Sequence, residues 1–135
     1  MKAYDVIQGD SQANSFMHVP DLDLVVAGDL VYGDCHQFLV EANTKEKREN
    51  WIKAVEYIES FKPQIIVCGH TRKSQIPSGY LTGPTKEYIR VFGEELEKAE
   101  SPVVLEKRMK ELYPERWNDT ILQFSCEAAF AARDA

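Results

Sequence analysis

Two periods of hydrophobic and polar positions run along this chain. Residues 4–8, YDVIQ, alternate as a short strand that ends in the turn Gly9-Asp10-Ser11. Ser15–Val19 reads as a second strand, and Pro20-Asp21 returns the chain into Leu24, Val25, Val26 and Ala27, an apolar run that stops at Gly28-Asp29. A second such run, Ile65, Ile66, Val67 and Cys68, stops at Gly69-His70. Unbroken apolar runs bounded by turn residues predict strands buried on both faces. In each case glycine lets the backbone leave the sheet, and a side chain able to bind metal follows at the strand's carboxyl end.

Between the two runs the period changes to that of a helix. Thr44 caps a helix over 45–61 whose stripe is Trp51, Val55, Ile58 and Phe61, and Pro63 closes it. Strand, helix and strand in that order form a crossover, so strands 23–28 and 64–68 are predicted to be parallel neighbours, with the first three strands forming a meander. Residues 30–41 follow neither period, and a short helix over Gln37–Val40 is expected there. A loop rich in turn formers runs from Thr71 to Gly83. Pro84 then opens a helix over 84–99 with Tyr88, Phe92, Leu96 and Ala99 on one side. Ser101-Pro102 starts another, to about Tyr113, and Pro114 stops it. A last helix from about Asn118 carries Ile121, Leu122, Phe124 and Phe130. The expected fold class is α+β, with layers of the α/β type, in a single domain spanning 1–135.

Composition narrows the partners. The formal net charge is −6, and the lysines and arginines are scattered along amphipathic stretches, which argues against nucleic acid or an anionic membrane as a ligand. No run approaches the roughly 18 apolar residues of a membrane span. The N-terminal MKAYDVIQGD has no apolar signal region, and three widely spaced cysteines fit reduced thiols better than a disulfide frame, so a cytoplasmic location is expected. The expected partner for a cleft in such a domain is a small molecule.

The candidate chemistry sits at the strand ends. A carboxylate and a neutral imidazole are both good zinc ligands, and the crossover brings Asp29 and His70 to one rim of one sheet. Asp10 also follows a glycine at a strand end, where it reads as a turn aspartate. Tyr32, His36 and Gln37 lie in the loop after Asp29, where side chains line the mouth of sites at strand carboxyl ends. His36 could there contact substrate or carry a proton, and it is the one catalytic candidate beyond the metal ligands; a surface position is its plainer reading. Cys68 and Cys126 read as core, and Cys35 has no evident activating base.

The segments HVPDLDLVVAGD (18–29), the helix with Trp51, PQIIVCGH (63–70), TKEYIR and ELYPERW together resemble the second half of a metallo-β-lactamase-fold hydrolase. The resemblance covers nearly the whole chain. It implies one sheet-plus-helices half of an αββα sandwich, with Asp29 bridging two metal ions and His70 binding the second. Gly9-Asp10 stands where the superfamily carries a Gly-His that completes the first metal site, so the resemblance makes Asp10 a third ligand as readily as a turn aspartate. An aspartate there favours a harder metal or a weaker site, so the implied metal is zinc, with iron or manganese as alternatives. The superfamily's His-x-His-x-Asp-His signature does not occur in this sequence, which has only His18, His36 and His70.

Two readings follow. One is a metal-dependent hydrolase of an ester, lactone, thioester or amide, incomplete or weakly active alone. The other is a non-catalytic remnant serving as a dimerisation or interaction module. In both, the sheet face opposite the helices needs a cover, either a second copy of the chain or the first half of the fold.

Overall fold

The computed structural model describes all residues from Met1 to Ala135. Four strands, β1 (Lys2–Gln8), β2 (Gln12–Val19), β3 (Leu24–Gly28) and β4 (Ile65–Cys68), form one sheet in the order β1-β2-β3-β4. β1, β2 and β3 are an antiparallel meander, while β4 joins β3 in parallel, with Val25 opposite Ile66. Helix α1 (Lys45–Ser60) makes the crossover between them, capped by the Thr44 hydroxyl accepting from the Lys47 amide. α2 (Thr82–Lys98), α3 (Pro102–Leu112) and α4 (Asp119–Arg133) follow, and α3 is capped at Ser101 as its Ser-Pro start requires. The α+β class and the crossover topology are therefore those expected from the sequence. No helix is long and apolar enough to cross a membrane.

The helices lie on one face of the sheet, and the core is there. Phe16, Val25, Ala27 and Ile66 point into it and meet Trp51, Val55 and Ile58 of α1, with Tyr88, Ile89 and Phe92 of α2 behind. The Trp51 indole donates to the Leu30 carbonyl at 2.9 Å, which ties α1 to the first residues after the sheet. An ion pair from Lys86 to Glu59 at 2.9 Å joins α2 to α1. α3 packs mainly on α4, and α4 buries Leu122, Cys126 and Ala129.

Three expectations need correction. The central strands are not buried on both faces: Val25, Ala27 and Ile66 are fully buried, whereas Val26, Ile65 and Val67 are each about 40% exposed. These three share one face with the partly buried Met17, Val19 and Leu24. An unbroken apolar run records that both faces suit a nonpolar neighbour, and here only one face has it. Second, Gln37–Val40 is not a helix. It is an irregular stretch whose backbone bonds to Ser125 of α4, the Ser125 hydroxyl accepting from the Leu39 amide at 2.9 Å. A local helix would forfeit that pairing. Third, Phe124 of the last helix's expected stripe is 49% exposed, and Ser125 is buried in its place.

Candidate functional site

The two glycines at the strand ends do different work. Gly28 has φ +53°, a left-handed conformation that turns the chain out of β3 and presents Asp29 at the rim. Gly69 follows β4, and its amide donates to the Gly28 carbonyl at 2.8 Å. A Cβ at Gly69 would collide with the Asp29 carboxylate, so a glycine there is what allows that carboxylate to cross over β4. Asp29 Oδ1 and His70 Nδ1 meet at 2.8 Å. The convergence expected from strand order is thus present. Both side chains stay open to solvent, 38% for Asp29 and 46% for His70.

Around this pair the loop after β3 builds a cleft of about 230 Å³, which also receives Asp10, Tyr32, Cys35, His36, Phe38, Asn118 and Ile121. The Tyr32 ring lies nearly parallel to the His70 imidazole, 5.5 Å between centroids and 11° between planes, which fixes the imidazole's attitude. The Tyr32 hydroxyl donates to Asp10 Oδ2 at 3.1 Å, and the Asn14 amide donates to Asp10 Oδ1 at 3.1 Å. Burial, aided by the nearby Asp29 charge, raises the Asp10 pKa above the usual carboxylate value; the hydrogen bonds from Tyr32 and Ser11 oppose it. Burial likewise lifts the Tyr32 phenol far above its ordinary value, so it stays a neutral donor.

The other residues singled out in the sequence are distributed unevenly. His36 lines the cleft but is 1% exposed, not on the surface, with Nδ1 hydrogen-bonded to the Tyr88 hydroxyl at 2.9 Å. Desolvation, reinforced by Arg116, lowers its pKa to about 4, so it is neutral at physiological pH. Gln37 is fully buried and lies outside the cleft lining; its carbonyl accepts from Ser125. Cys35 lines the cleft, but burial pushes its thiol up to about 11, leaving little thiolate to act as a nucleophile.

Sequence reasoning missed Arg116. Its guanidinium donates to the carbonyls of Cys35 at 2.6 Å and Gly33 at 3.3 Å, and lies over the Tyr88 ring at 4.4 Å. A neighbouring clamp, Arg72 Nε to Asp34 Oδ2 at 3.0 Å, ties the loop after β4 to the same segment. A lone arginine between Tyr113 and Trp117 was the available signal, but nothing local says which loop it holds.

The donor set does not fit a complete metal centre. Asp29 and His70 converge, Asp10 accepts hydrogen bonds from Tyr32 and Asn14, and no group of three His, Cys, Asp or Glu side chains is arranged to hold an ion. A catalytic zinc takes three protein ligands and leaves a position for water. Asp29 and His70 alone make two. No family model matches the chain, and no curated protein matches it.

Proposed function

We propose that this chain is the C-terminal half of a metallo-β-lactamase-fold hydrolase, giving Asp29 and His70 to a metal centre whose remaining donors come from the other half of the fold. The observation that carries the reading is the meeting of that carboxylate and imidazole at 2.8 Å, on parallel neighbouring strands joined through α1. The bare apolar face of the sheet supports it, because a two-layer fold needs a second sheet there. Zinc suits a carboxylate–imidazole pair, with iron or manganese as the harder alternatives. The reaction class is hydrolysis of a small ester, lactone, thioester or amide, carried out by the assembled fold, with Tyr32 and His36 facing the substrate. Three free cysteines fit a cytoplasmic setting.

A second reading, a non-catalytic interaction module, is favoured by the exposed apolar face of Val26, Ile65 and Val67. Zinc titration by calorimetry on the dialysed chain separates them. The half-site reading expects weak binding of a single ion, removed by dialysis and abolished in both Asp29→Asn and His70→Ala. Two ions per chain that survive dialysis would overturn it by requiring further ligands. Binding indifferent to both substitutions, or none at all, would leave the interaction module.

A further inference from the structure

His36 has one ring nitrogen spoken for and one left over. Nδ1 faces the core and Tyr88, while Nε2 is buried and has no hydrogen-bond partner, with Asp119 Oδ1 at 3.9 Å, beyond bonding distance. Orphaned buried polar nitrogens are uncommon in folded proteins and carry a cost unless something pairs with them. This one belongs to a side chain 1% exposed that lines the cleft beside Asp29 and His70.

The tautomer follows from the surroundings of Tyr88. The Tyr88 hydroxyl is fully buried, and His36 Nδ1 at 2.9 Å is the one acceptor within its reach, so its proton goes there. A neutral imidazole that accepts at Nδ1 carries its proton at Nε2. His36 lines the cleft, as Asn118 and Ile121 do, so its buried N–H is an unpaired donor beside that space. The carboxylates Asp10 and Asp29 share that cleft and disfavour an anion, so the matching acceptor is an uncharged carbonyl oxygen.

We infer that His36 is a ligand-positioning residue, whose Nε2–H donates to the carbonyl oxygen of a small neutral molecule held in the cleft next to the Asp29–His70 pair. This rests on reading the cleft as the substrate site of the proposed hydrolase, but it requires no metal.

Nitrogen-15 NMR of the three histidines in the full chain tests it. The expected spectrum shows His36 protonated at Nε2 and unprotonated at Nδ1 at neutral pH. γ-Butyrolactone should shift the His36 Nε2–H and His70 resonances, whereas tetrahydrofuran, the same ring without the carbonyl, should not. Two variants keep the outcome independent of folding. His36→Asn keeps an acceptor for Tyr88 and loses the donor to the cleft, so lactone binding read at His70 should weaken about three- to tenfold, the worth of one neutral hydrogen bond. His36→Gln restores an amide donor near the Nε2 position and should bind nearly as the parent does. A proton on Nδ1, equal shifts from the two rings, or equal lactone binding in His36→Asn and the parent would each overturn the inference. The zinc titration is read separately, so the hydrolase reading and the His36 assignment can fail independently.

Discussion

The two faces of this sheet differ in what covers them more than in what they are made of. On β4, Ile66 points into the helical layer and is fully buried, while its neighbours Ile65 and Val67 point the other way and are 38% and 39% exposed. On β3, Val25 and Val26 make the same contrast, 0% against 40%. The covered face is closed by α1 and α2, and the terminal helices, which had enough length to fold round the other side, pack on α2 and on each other. An apolar sheet face this exposed is the surface that the proposed second half, or a second copy of the chain, would cover.

Neighbouring substitutions on one strand are the sharpest way to break this comparison. Ile66→Ala should cost about 2–5 kcal/mol through a cavity at the centre of the core, and Ile65→Ala about 1 kcal/mol or less when measured on the monomer at low concentration. Urea unfolding of the two variants reads both values. Similar losses would mean that the two faces are not energetically distinct.

The covered side also contains a buried base, and its pH dependence has a definite sign. His36 is neutral in the folded chain down to about pH 4, whereas in the unfolded chain it takes up a proton near 6.5. Between those values the unfolded state binds more protons, so stability is complete above about pH 6.5 and falls as the pH drops toward 4, by about 3 kcal/mol from this group. Asp10 acts in the opposite direction, since its raised pKa lets the folded state hold a proton more readily than the unfolded state does. The difference between the parent and His36→Gln, followed by urea unfolding from pH 7 to pH 4, isolates the histidine. A parallel pair of curves would contradict its burial as a neutral group.

Legibility in the sequence followed the range of the determining contacts. Both Gly-terminated strands, their parallel pairing through a helix, the Thr44 and Ser101 caps and the approach of Asp29 to His70 were all readable, because glycine, capping residues and crossover order act locally or through topology. The irregular path of 37–40 was not, since it is set by Ser125 and Arg116, some 80 residues away. The burial of His36 was missed for the same reason: Tyr88, its partner, comes from α2. The apolar runs of β3 and β4 suit a covered face on either side, so the bare face was legible only through the resemblance to half of a two-sheet fold.

The most direct test of the bare face is the mass of the purified chain by light scattering over a range of concentrations. A surface made for contact predicts a species of about twice the 15.4 kDa chain that dissociates on dilution, and a parent-like but monomeric Val26→Lys/Val67→Lys double variant, since lysines on that face leave the helical side untouched. A parent chain that stays at 15.4 kDa at every concentration, dilute or concentrated, would contradict the account.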